Sequence, residues 1–88
     1  MQIWEYWLSV ASEQLIELPH GAKILSVDTQ GGRPILWVLG DPRAELAPVK
    51  ILSYATGEDI EAGRYIGTYH VVGDMYIRHI FAVGTEDA

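Results

Sequence analysis

Two apolar runs on either side of a glycine pair constrain this chain more than anything else in it. Lys23–Gln30 and residues 34–39 alternate with a period of two, and Gly31-Gly32 between them supplies the positive φ that a tight I′ or II′ hairpin turn requires. Pairing Gln30 with Arg33 across that turn sets the register. It predicts Leu25, Val27, Leu36 and Val38 on one face, with Ile24, Ser26, Asp28, Ile35, Trp37 and Leu39 on the other. The second strand is apolar on both faces, the mark of a central strand or of one covered by a partner subunit.

The same period runs through most of the chain. Trp4, Tyr6, Leu8 and Val10 alternate with Ile3, Glu5, Trp7 and Ser9; residues 14–18 make a short strand closed by Pro19-His20-Gly21, and residues 49–55 make another. Residues 65–83 read as a second hairpin turning at Gly73-Asp74. Residues 40–48 are irregular, with room for a single helical turn at 44–46 before Pro48 ends it. Seven short strands with little or no helix predict an all-β fold, a small β-sandwich or barrel. It forms a single domain over residues 1–83 with a flexible acidic tail at 84–88.

Composition narrows the partners. A chain of 88 residues buries only about 60–65% of its unfolded surface, yet 49% of this one is hydrophobic and 20% charged. That argues against a disordered linker and leaves apolar surface to spare. Trp4 and Trp7 are three positions apart, so they point to opposite faces of one strand, and a single core hides only one of them. Self-association, at least to a dimer, is the expectation. Net charge is −6, which disfavours direct nucleic-acid binding and attraction to anionic lipid. No run approaches the ~20 apolar residues of a membrane span, and the first residues lack the basic region of a signal peptide, so no membrane association and a cytoplasmic location are expected. With no cysteine there is neither a disulfide framework nor a thiolate metal site.

The chemistry-bearing residues concentrate in the second hairpin. A turn at Gly73-Asp74 sets His70 opposite Ile77 and puts His79 diagonally beside it, on a face shared with Ile66, Thr68, Met75, Ile77 and Phe81. Two imidazoles so placed either share a metal or a phosphate, or are half-buried histidines satisfied by neighbours. No Asp, Glu or Cys joins them on that face, so no metal site is assigned. The serines lie in or beside strands without a nucleophile elbow, so no catalytic residue is assigned, no cofactor is expected, and the protein reads as non-enzymatic. The opposite face carries Tyr65, Tyr69, Val71, Tyr76, Arg78 and Ile80, with Tyr69 beside Arg78. Rings that stack on a base and a guanidinium that forks onto phosphate suit a nucleotide-derived anion; the same residue types also mark a protein interface. The candidate ligand contacts are Arg78, Tyr69 and Tyr76, with Arg64, Lys50 and the Thr56-Gly57 loop, whose successive backbone N–H groups can point at an anion.

Several motifs add a context. IWEY at residues 3–6, PHGAKILSV at 19–27, LWVLGDP at 36–42, Thr56-Gly57 with Ile60, YIGT at 65–68 and HIF at 79–81 resemble a small family of uncharacterised bacteriophage and prophage proteins. Its pattern runs IWKYxL, MPxGAKILSV, LWALVDP, TGHPI, YIGT and HVF. This chain departs from it at Glu5, at Glu58-Asp59 and at Arg78, where Lys, His-Pro and Trp are usual. The resemblance implies a phage-encoded accessory protein of the host bacterial cytosol, and such proteins often disarm host defence. The expectation is a protein that sequesters an anionic nucleotide-derived immune signal, unaltered, in a pocket between subunits. The alternatives are an acidic inhibitor of a host defence protein, presenting Asp28, Asp41, Glu45, Glu58, Asp59 and Glu61 as DNA-like charge or adding an edge strand, and a phage accessory or structural role without a ligand.

Overall fold

The computed structural model describes residues 1–71 and 76–84, with Val71 described by its backbone alone. Among the described residues there are seven strands and no helix: β1 (Gln2–Trp7), β2 (Glu13–Pro19), β3 (Lys23–Gln30), β4 (Arg33–Gly40), β5 (Leu46–Tyr54), β6 (Arg64–Val71) and β7 (Tyr76–Val83). They form two antiparallel sheets, ordered β1-β4-β3 and β2-β5-β7-β6, that face each other as a small β-sandwich. The shared core takes Leu8, Ile24, Leu36 and Val38 from the three-stranded side and Leu18, Val49, Ile51, Tyr69, Ile80 and Ala82 from the four-stranded side. None of the described residues forms a helix long and apolar enough to cross a membrane.

The first hairpin pairs Gln30 with Arg33 over Gly31 and Gly32, both at positive φ, as its turn chemistry dictates. In the second, Tyr69 faces Arg78 and His70 faces Ile77. The turn expected at Gly73-Asp74 and the tail beyond residue 84 lie outside the described residues.

Faces differ from the strict alternation in two places, and a β-bulge explains each. In β3 the register shifts between Ile24 and Ser26. The extra residue turns Ile24 into the core opposite Val38 and leaves Leu25 exposed, reversing their expected sides. In β6 the register shifts between Tyr65 and Gly67. Ile66 therefore packs against the core while Tyr65 moves to the outer face beside Phe81, again the reverse of the alternation.

Local chemistry accounts for the other differences. β1 stops at Trp7 because the chain crosses to the other sheet, and the Gln14 side chain clamps Ser9 there, accepting from its N–H and donating to its carbonyl, both at 3.0 Å. Residues 44–46 form no helical turn. Ala44 N–H bonds the Asp41 carbonyl at 3.0 Å, and β5 has begun by Leu46. Pro48 is tolerated inside β5 because it lies beyond the last β7 pairing, Lys50 with Val83, where β5 is bonded to β2 alone.

β4 explains its two apolar faces. Leu36 and Val38 enter the core, while Ile35 on the outer face is 1% exposed. Its cross-strand partner is Trp7, over whose ring the Arg33 guanidinium lies at 4.6 Å. Cation and ring together form a small lid on that face.

The two bulged strands are the ones that meet where the sheets converge. There a Cβ on Gly67 would stand 2.8 Å from Val27 Cγ1, inside van der Waals contact with a branched side chain that has little room to yield. Gly67→Ala is expected to cost about 1–3 kcal/mol and lower the Tm by roughly 5–15 °C. Combined with Val27→Ala the two costs are less than additive, because the clash is then relieved. Thermal melts of the four-member cycle check this.

Candidate functional site

Strand parity divides the second sheet into an inner and an outer face, and the candidate residues fall on both. Tyr69, Tyr76 and Arg78 share the inner face with Ile80 and Ala82. Arg78 is half-buried there and donates from Nε to Ser53 Oγ and from Nη2 to the Ser53 carbonyl, both at 2.7 Å. Ser53, itself buried, thus accepts twice from Arg78, once at its hydroxyl and once at its carbonyl. Tyr69 is 3% exposed, so its ring is a core element rather than a surface on which a base can stack. Tyr76 is exposed, 5.8 Å from the Arg78 guanidinium. Arg64, half-buried at the start of β6, is opposite Ala82. The inner-face set is therefore a polar insert in the sandwich: Arg78 is held by Ser53 and Tyr69 is enclosed.

The outer face carries a second, more accessible arrangement. His79 has a hydroxyl on each ring nitrogen: Thr68 Oγ1 at 2.8 Å from Nδ1 and Thr56 Oγ1 at 2.8 Å from Nε2. Thr68 in turn contacts the Tyr65 hydroxyl at 2.6 Å. The bulge in β6 builds this chain by bringing Tyr65 onto the histidine face. Around it, Phe81 meets Tyr54 edge-on at 5.6 Å between centroids and Tyr65 at 5.4 Å. Tyr54 also lines a cavity of about 250 Å³ with Glu13, Lys50, Leu52, Glu61, Ala62 and Val83. Lys50 and Tyr54 are four strand residues apart, so their backbone positions lie ~13 Å from each other along one face.

Proton counting gives this chain a direction. A neutral imidazole donates from one nitrogen and accepts at the other. If Nδ1 carries the proton, Thr68 passes its own to Tyr65, whose O–H points outward while Thr56 presents only an acceptor. If Nε2 carries it, the chain reverses and Thr56 becomes the outward donor. Either tautomer presents one donor and one acceptor at the two ends of the chain, and an imidazolium presents two donors. Such a pair suits a ligand rich in hydroxyl or amide groups.

As a catalytic relay the arrangement is incomplete. Thr56 is in reach of a base, but the other ring nitrogen meets a neutral hydroxyl rather than a carboxylate. The nearby turn is also occupied by its own acid. Ala55 N–H donates to Glu58 Oε1 at 2.6 Å, so this amide of the Thr56-Gly57 loop is already spent on a carboxylate. Among the described residues no group of three His, Asp or Glu is placed to hold a metal.

Of the seven sequence candidates, then, Lys50, Thr56 and Gly57 belong to the outer side of the sheet and its loop. Arg78, Tyr69 and Tyr76 belong to the inner face, with Arg64 at the other end of β6. Thr68 was findable from sequence, because the predicted hairpin places it opposite His79. Tyr54 and Thr56 reach the histidine through tertiary packing, and no spacing announces them.

Burial gives Tyr69 a measurable signature. It pushes the phenol above the ordinary tyrosine value of 10.0; Tyr76 adds to the rise, while Arg78 and the bond from Ser53 oppose it. The folded state therefore prefers the neutral phenol. This stabilisation is complete below pH about 10 and is lost as pH rises through the elevated folded value. Urea melts across pH 9–12 are expected to show stability falling above pH 10, with a shallower fall in Tyr69→Phe. At pH 7 that variant should lose about 1 kcal/mol for the missing hydroxyl contact.

No curated protein and no solved structure matches the chain. Its residues 1–88 match DUF7352, a domain of unknown function, and the chain belongs to that family.

Proposed function

We propose that the protein is a non-enzymatic binding domain that captures a small nucleotide-derived ligand and leaves it unaltered, using the outer face of the four-stranded sheet. One observation carries this reading: His79 is held at both ring nitrogens on a face that core packing does not require to be ordered. Hydrogen bonds at an exposed surface contribute little to stability, so a four-member chain there is better accounted for by a ligand than by the fold. Tyr65, 53% exposed, and Tyr54 offer ring faces, Thr56 and Tyr65 offer the donor and acceptor that a ribose or base edge needs, and Lys50 supplies the cation. The ligand's negative charge is limited, because Glu13 and Glu61 share the cavity with Lys50. The motif likeness to phage proteins suggests a setting: sequestration of a host immune signal in the bacterial cytosol.

The second reading, an acidic inhibitor of a host protein, is favoured by the distribution of charge. Glu13, Glu17, Glu58, Asp59 and Glu61 are all exposed, whereas Arg64 and Arg78 are withdrawn from the surface, so the outside is more acidic than the total implies.

A panel of nucleotides, cyclic dinucleotides and cyclic ADP-ribose isomers, incubated with the protein and recovered after heat denaturation, separates these readings. Capture predicts depletion of one compound and its intact release. Tyr65→Ala and His79→Ala should each weaken that capture about ten-fold or more, while Tyr69→Phe leaves it unchanged. An altered product would make the protein an enzyme, and no depletion across the panel would reject small-molecule capture in favour of the protein partner.

A further inference from the structure

The four edges of the two sheets are β1, β3, β2 and β6, and three carry devices that prevent further pairing. β3 has its bulge with exposed Lys23 and Asp28; β6 has its bulge and packs against β3 at Gly67; β2 bears exposed Glu13 and Glu17 and ends in Pro19. β1 has neither bulge nor covering strand, and its one charge is the exposed Glu5. It pairs with β4 without a break from Gln2 to Trp7, contains no Pro, Lys or Arg, and exposes Ile3 at 60%, Trp4 at 48% and Trp7 at 43%.

The direction of its unpaired backbone groups can be derived. Leu8 N–H donates to the Pro34 carbonyl at 3.0 Å, and 8 with 34 continues the β1–β4 register. In an antiparallel ladder the residues bonded to a given neighbour alternate, so the even residues of β1 turn their N–H and C=O toward β4 and Ile3, Glu5 and Trp7 turn theirs away. We propose that β1 pairs antiparallel with β1 of a second copy about a two-fold axis at Trp4, joining two three-stranded sheets into one of six.

Self-complementarity selects the occupant and the register. An isologous pairing must match outward residues with outward residues, so the axis passes through a single residue position. Centred on Glu5 it would set two carboxylates opposite each other, which is destabilising. Centred on Trp4 it pairs Ile3 with Glu5 of the other copy twice, as bonded pairs, and brings the two Trp4 rings together at a non-bonded pair, where side chains lie closest. The two-fold consumes both unprotected edges, so assembly closes at the dimer and does not grow into a filament. This inference is independent of the ligand reading, since β1 lies in the other sheet.

Light scattering and single-cysteine cross-linking of the full chain test it. Wild type is expected at the mass of two chains. Ile3→Pro should give one chain with the fold retained, because that N–H makes no bond to β4 and its loss affects the new pairing alone. The natural chain has no cysteine, so Trp4→Cys should cross-link to completion under mild oxidation while Trp7→Cys does not, its sulfurs being several residues out of register. A single-chain mass for wild type at 100 µM-scale concentration, a dimer that survives Ile3→Pro, or equal cross-linking at both positions would overturn the proposal.

Discussion

The corner where β3 meets β6 governs the rest of this sandwich. Two sheets of unequal width converge there, and Gly67 lets the backbone of β6 come close to Val27 because it offers no side chain to resist. Both strands carry a bulge at that corner, and bulges add the twist and bend that bring a sheet edge over its neighbour. The extra residue also reverses which side chains face inward. On β3 the reversal recruits Ile24 to the core. On β6 it recruits Ile66 and releases Tyr65 to the surface, where it completes the chain through Thr68 and His79 to Thr56. The same local irregularity thus closes the core and assembles the candidate site.

The inner and outer faces of the four-stranded sheet divide polar work between them. Inside, Ser53 holds Arg78 with two bonds beside the enclosed Tyr69, in a region otherwise filled by Ile80, Ile51 and Val49. Groups so committed are poor at meeting a ligand, since binding would first have to break bonds of charge-assisted strength. Outside, His79 is ordered yet accessible at both ends of its chain. That contrast in availability, more than residue type, moves the candidate site from the arginine to the histidine side of β7.

Much of the fold is legible in particular residues. Gly31-Gly32 specifies a two-residue turn, and the turn sets Gln30 against Arg33. Tyr69 against Arg78 and His70 against Ile77 follow from period two in the second hairpin. The opposed placement of Trp4 and Trp7 likewise follows from their spacing, with Trp4 paired to Val38 and Trp7 to Ile35. Legibility fails beyond a bulge. A two-residue period propagates along a strand only until one residue is inserted; nothing in KILSV distinguishes a bulge from plain alternation, and in RYIGT the one sign is the lone Gly67. The site was half legible for that reason: Thr68, opposite His79 of β7, lies on the unshifted side of the β6 bulge and Tyr65 on the shifted side.

The sequence by itself determined the elements: seven extended segments, the Gly31-Gly32 turn, the pairing within each hairpin and a net acidic charge without a thiol. These are local properties, set by alternation, glycine φ and residue charge, and each is complete within about twenty residues of chain. Tertiary structure alone decided which hairpin joins which sheet, where the two sheets converge, and hence which residues become interior. Those choices depend on contacts between segments far apart in sequence, such as Val27 with Gly67, Ser53 with Arg78 and Thr56 with His79, whose energies exist only once the strands have met.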